Sequence, residues 1–144
     1  MTQRVVLDTD VVSAAIRGDW PLEAQRWFEE VASLFALTVI TLMELRYGVE
    51  RMPDGRRRDA VERGVEDILL RDNVEILPFT SSAAVLAGSL RARRDAAGRP
   101  LSLADAQIAA ICLSREVALA TRNVRDFEGL GLELVDPWTL EGTS

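Results

Sequence analysis

Apolar positions in this chain fall into two kinds of block. Val5-Val6-Leu7 is a continuous apolar run that ends in Asp8, and comparable runs recur at residues 36–40, 74–77, 117–120 and 132–135. Short runs of this kind, bounded by polar or turn residues, predict buried strands. Between them the apolar residues recur at helical spacing. Leu22, Trp27, Val31 and Leu34 form one such face and predict a helix over 22–34. Further helices are predicted at 11–17, stopped by Gly18, and at 42–51, with Thr41 as N-cap. The Pro53-Asp54-Gly55 turn precedes a helix over 56–70, and Ser81 or Ser82 caps a helix reaching residue 97. Ser102 caps the last long helix, 103–115, and residues 121–131 read as loop with one short turn.

Strands alternating with helices predict an α/β fold, a three-layer sandwich whose mostly parallel five-stranded sheet is covered on both faces. No repeat, linker or low-complexity tract interrupts the pattern, so residues 1–144 read as one domain. Parallel strands share a carboxyl edge, and the helices returning between them begin there. Ligands bind at that edge in open α/β sheets.

Four acids fall on it. Asp8 follows the first strand, Glu44 and Asp105 lie in the first turns of the helices after Thr41 and Ser102, and Asp126 lies in the loop after the fourth strand. Thr41-x-x-Glu44 and Ser102-x-x-Asp105 also match capping boxes, which is the bland reading of those two acids. Asp8 has no such role to fill after an apolar strand. Four convergent carboxylates repel one another unless a cation sits among them, so a divalent metal explains the set jointly.

Composition narrows the chemistry further. The chain has 48% apolar and 28% charged residues and a formal charge of −6, which describes a globular protein without bulk affinity for nucleic acid. It has no histidine, and all 17 basic residues are arginine. Ser-His or Cys-His nucleophiles, His-ligated zinc and P-loop or Schiff-base lysines are thereby excluded. Cys112, the only cysteine, sits between Ile111 and Leu113 and reads as a buried helical residue. Oxygen ligands alone favour Mg²⁺ or Mn²⁺, and a carboxylate-held ion of that kind suits phosphodiester hydrolysis. No secretion signal or membrane-length apolar stretch is present, which predicts a cytoplasmic protein.

The residues around the four acids resemble a known family. Val5 to Ser13, reading VVLDTDVVS, is similar to the first motif of PIN domains, in particular the toxins of VapBC and FitAB toxin–antitoxin pairs. TLMELRYGV from Thr41, DAQIAA from Asp105 and ATRNVRDF from Ala120 resemble the second, third and fourth motifs, and LELVDPW resembles the usual ending. The resemblance runs in order from residue 4 to residue 138. It implies a parallel five-stranded sheet, a Mg²⁺- or Mn²⁺-dependent ribonuclease, and a homodimer silenced by a small DNA-binding antitoxin whose C-terminal segment crosses the active site. Carried over residue by residue, it makes Asp8, Glu44, Asp105 and Asp126 the catalytic and metal-binding acids, with Asp8 and Asp105 first. Thr9, Thr121 and Asn123 then support them from behind. Two positions depart from the family pattern: Asp10 stands where relatives usually carry Asn, and Leu103 where many carry another acid.

Arginines supply the remaining candidates. Arg46, two residues past Glu44, is the favoured contact for an RNA phosphate, with pairing to an acid as its other use. Arg56-Arg57-Arg58 reads first as a solvated helix face, whereas Arg91, Arg93 and Arg94 divide evenly between solvation and RNA steering. Trp20, Trp27 and Trp138 read as packing residues. Two other functions fit parts of the pattern. Asp8-Thr9-Asp10 matches the Asp-x-Asp start of haloacid-dehalogenase-like phosphatases, against which stand the missing lysine and late acid pair. A PIN fold acting mainly as the antitoxin's partner on operator DNA is the second.

Overall fold

The computed structural model of the chain describes residues 4–31, 34–71 and 74–140. Its strands are β1 (Val5–Leu7), β2 (Phe35–Thr38), β3 (Glu75–Leu77), β4 (Ala118–Ala120) and β5 (Leu134–Val135). Its helices are α1 (Thr9–Arg17), α2 (Leu22–Val31), α3 (Val39–Arg51), α4 (Arg56–Leu69), α5 (Ser81–Ala96), α6 (Leu103–Arg115) and α7 (Val124–Phe127). All five strands are parallel, in the spatial order β3-β2-β1-β4-β5. From β1 the chain builds outward to β3, then crosses back to lay β4 on the other side of β1. The β1–β4 boundary is therefore the topological switch point, where a crevice opens at the carboxyl edge.

Period-two alternation divides the strand residues between two cores. Val6, Ala36 and Leu119 face one layer with α5, α6 and Phe127. Val5, Leu7, Phe35, Leu37, Ala118 and Ala120 face the other, with Val11, Val12, Phe28, Val65 and Ile68. The tryptophans belong to this second layer. Trp20 packs on Phe28 and Trp138 with ring centroids 5.3 and 6.2 Å apart, and Trp27 lies partly buried against the same cluster. Cys112 is fully buried, and burial pushes its thiol up to about 12, which leaves it unreactive.

Several element boundaries differ from the sequence-based expectation, with consequences for the site. The second strand ends at Thr38, and α3 begins at Val39 rather than at Leu42. Thr38, not Thr41, is the N-cap; its hydroxyl accepts from Thr41 N at 3.1 Å. The β-branched pair Val39-Ile40 has strand-like propensity, but the cap and the burial of Ile40 carry it into the helix. Likewise α1 starts at Thr9, with Asp8 itself as N-cap accepting from Thr9 N at 2.9 Å. Thr80, not Ser81 or Ser82, caps α5. The second helix ends at Val31 within the described residues; residues 32–33 of the predicted helix lie outside them.

One helix contact leaves no slack. A Cβ added to Gly64 in α4 would lie 2.6 Å from Ile16 Cγ2 in α1. Glycine thus lets α4 sit close against α1, the helix that Asp8 caps.

Candidate active site at the carboxyl edge of the sheet

Asp8 leaves β1 at the switch point, 6% exposed, with both carboxylate oxygens engaged. Oδ1 accepts from Thr9 N, and Oδ2 accepts from the Thr121 hydroxyl at 2.7 Å. Thr121 is the first residue after β4, and its hydroxyl also accepts from Asn123 N at 3.0 Å. The two central strands are thus tied together one residue beyond their ends. Burial first, then the charge of Asp10, pushes the Asp8 carboxyl up to about 7 against the opposing hydrogen bonds of Thr121 and Thr9.

Glu44 lies in the second turn of α3, so the Thr41-x-x-Glu44 capping box does not form. Its carboxylate instead accepts from the Thr9 hydroxyl at 2.6 Å. With that proton committed to Glu44, the Thr41 hydroxyl, 3.0 Å from Thr9 Oγ1, donates to Thr9. Helices α1 and α3 are held together by this chain of hydroxyls.

Asp105 does sit in the first turn of α6, where its backbone N–H donates to the Ser102 hydroxyl at 3.1 Å. The carboxyl is half-buried and raised above its ordinary value. Burial is the main cause; the Ser102 hydroxyl opposes it, and the charges of Asp126 and Glu44 add to the rise. Asp105 in turn raises Asp8 and Asp10. Asp126 lies on the one-turn helix α7, exposed, beside Asp105.

Asp10 is drawn into the same field. Burial raises its carboxyl, while the nearby backbone N–H groups of Arg122 and Val11 and the Arg122 charge oppose the rise. Its Oδ2 accepts from the Asn123 amide at 3.2 Å, and its Oδ1 is buried without a hydrogen-bond partner. The side chains of Thr9, Thr121 and Asn123 therefore each bond a different acid: Glu44, Asp8 and Asp10. Among the described residues none of these five carboxylates is ion-paired.

The donor set fits a hard divalent cation. It offers only carboxylate oxygens, and one buried oxygen, Asp10 Oδ1, lacks a partner. Among the described residues no three of the side chains are drawn together into a finished cage.

The arginines divide differently from the sequence expectation. Arg46 is exposed and bonds Glu62 at 3.2 Å and Glu50 at 3.5 Å. Arg58 pairs with Glu50 and Asp54. Arg94 does not belong with Arg91 and Arg93 on a solvated face; it is buried. Spacing alone would have found this, because Ala83, Ala87, Leu90 and Arg94 share one helical stripe of α5. Arg122 was likewise missed, although it stands between Thr121 and Asn123; its guanidinium lies 4.7 Å over the Trp138 ring. Beside Glu44 a cleft of about 700 Å³ runs between α1, α3 and α4. Leu45, Val49 and Val65 line it together with Arg17, Arg56 and Arg57.

Comparison with known proteins identifies the family. The PIN domain family model matches residues 5–131. Plasmid stability protein StbB of Pseudomonas syringae pv. tomato is 35% identical over 136 residues, 93% of this chain and 98% of that protein. VapC ribonuclease Y4jK of Sinorhizobium fredii is 31% identical over 136 residues, covering 93% and 97% respectively. The solved structure of FitAB bound to an IR36 DNA fragment contains a chain that superposes with a TM-score of 0.86 at 27% identity. The match covers 97% of this chain and 99% of that one. The haloacid-dehalogenase-like alternative is set aside by these matches, and the chain belongs to the PIN domain family.

Proposed function

We propose that the protein is the toxin of a toxin–antitoxin pair, a divalent-metal-dependent ribonuclease that hydrolyses RNA phosphodiester bonds until its antitoxin covers the site. The observation that carries this reading is the grouping of Asp8, Glu44, Asp105 and Asp126 at the sheet's switch point, with hydroxyls bonded to two of them. The relatives support it: one is named a VapC ribonuclease, and the FitAB structure is a complex bound to DNA.

Asp8 and Asp105 would hold Mg²⁺ or Mn²⁺ first, with Glu44 and Asp126 completing the ring of oxygen donors. Such an ion, when bound, would activate water and offset the negative charge developing on the phosphoryl and leaving oxygens. The chain's own residues do the rest. Thr121 and Thr9 fix the Asp8 and Glu44 carboxylates, and Asn123 orients Asp10. In a chain without histidine, proton transfer at the site falls to carboxylates. Arg46 can meet an RNA phosphate by exchanging its two exposed ion pairs, which are individually weak. The cleft beside Glu44, with its apolar floor and arginine rim, suits the antitoxin segment. Self-association into a homodimer completes the assembly. No described helix is long and apolar enough to cross a membrane, which fits action on RNA in the cytoplasm.

Purified antitoxin-free protein on a mixed RNA pool tests the reading. Cleavage in Mg²⁺ or Mn²⁺, lost in EDTA and in Asp105→Asn, is the expected result. Folded protein that cuts nothing with either metal, yet binds operator DNA with its partner, would favour the binding-module reading instead.

A further inference from the structure

Arg94 is a cation buried in the fold, and among the described residues no carboxylate is bonded to it. It is 9% exposed, and its guanidinium makes three hydrogen bonds, all to backbone carbonyls. Nε donates to Arg99 O at 2.8 Å, and Nη1 donates to Asp126 O at 3.0 Å and Glu128 O at 3.3 Å. A buried charge is costly unless its donors are satisfied, and here one of the three bonds goes to the loop before α6 and the other two to the segment that carries Asp126. That segment needs holding. Helix α7 has four residues and cannot stand alone. Only Phe127, 1% exposed, anchors it from the core side. Its last carbonyls are the groups a helix terminus leaves without partners, and a cation is the favoured partner there. Arg99 adds a bond of the same kind, Nη2 to Arg125 O at 2.9 Å.

We infer that Arg94 is a positioning residue of the nuclease site: its buried guanidinium clamps the α7 carbonyls and thereby sets Asp126 beside Asp105. Arg94 also opposes the repulsion on Asp105 through space, but the clamp rests on the hydrogen bonds alone. The inference builds on the metal-site reading above.

The test is Mn²⁺ affinity of the full-length protein, read by electron paramagnetic resonance without RNA. Arg94→Gln is expected to bind Mn²⁺ roughly 10–100-fold more weakly, the usual effect of losing a group that orients metal ligands. Arg94→Lys keeps the charge but not the fork of donors; it should fall between Arg94→Gln and the parent, and it serves alone if Arg94→Gln does not fold. Asp126→Asn combined with either substitution should bind no worse than the weaker single variant, because both act on one ligand. Multiplying losses would assign Arg94 a general structural role and overturn the inference. So would parental affinity in folded Arg94→Gln or Arg94→Lys, or a loss there with none in Asp126→Asn. Unchanged Mn²⁺ binding in Asp105→Asn would instead overturn the metal reading on which the inference stands.

Discussion

The Thr121 hydroxyl donates to Asp8 Oδ2 at 2.7 Å, joining the ends of the two central strands across 113 residues of sequence. A hydrogen bond to a buried carboxylate of this length is a strong one. Thr121→Val keeps the shape of the side chain and removes the donor. RNA cleavage should fall roughly 10–100-fold with little change in fold, and Thr121→Ser should restore most of it. Equal cleavage by the Val variant and the parent would show that the bond does not serve the site.

Asp8 also predicts an unusual stability profile. Its carboxyl releases its proton at about 7 in the folded protein, whereas an unfolded chain releases it at about 3.9. Between those values the native state binds the extra proton, so stability of the metal-free protein falls as pH rises. The slope is at most about 1.4 kcal/mol per pH unit. The cost is absent below the unfolded value and complete above the folded one. Thermal melts in chelator should therefore show Asp8→Asn and the parent alike near pH 4 and the variant higher by several degrees near pH 8. A difference that is constant across that range would contradict the assignment of the proton to Asp8.

Asp10 stands where relatives usually carry Asn, and it is the second-largest cause, after burial, of the raised Asp8 carboxyl. In Asp10→Asn the Asp8 proton should be released at lower pH, while Asn123 keeps an oxygen to bond. Carbon-13 titration of the labelled aspartates follows this directly. An Asp8 midpoint that stays fixed would mean that Asp10 does not act on it.

Helix propensity alone ranks alanine above glycine by about 1 kcal/mol in a helix interior. At Gly64 the sign should reverse, because the new Cβ would meet Ile16 Cγ2 at 2.6 Å. Overpacking of this kind costs about 1–3 kcal/mol. Gly64→Ala is expected to melt lower than the parent, and the loss to shrink when the same change is made in an Ile16→Ala background, where Cγ2 is gone. A higher melt for the single variant would show that α1 and α4 separate freely.

The strands and the positions of Asp8, Asp105 and Asp126 were readable in the sequence. Asp8 and Asp126 come after two of the short apolar runs and Asp105 opens the helix behind Ser102, and a parallel sheet sends strand ends and returning helix starts to one edge. Glu44 is legible for a partly mistaken reason: the β-branched Val39-Ile40 pair reads as strand, which starts the predicted helix three residues late and puts Glu44 in its first turn. The cap at Asp8 is not legible, because a carboxylate directly after a strand reads as a ligand before it reads as an N-cap. Which hydroxyl serves which acid was beyond sequence reading, since Thr9–Glu44 and Thr121–Asp8 are tertiary pairs. Arg94 reads with its basic neighbours by composition, whereas the alanine-rich stripe of α5 marks it as the one that points inward.

The central claim is that these acids bind a divalent cation. Anomalous diffraction from crystals grown with Mn²⁺ tests it most directly. The account predicts a Mn²⁺ peak in contact with carboxylate oxygens of Asp8 and Asp105, lost in Asp105→Asn. RNA cleavage by a protein whose crystals show no Mn²⁺ at that edge, or hold it elsewhere, would contradict it.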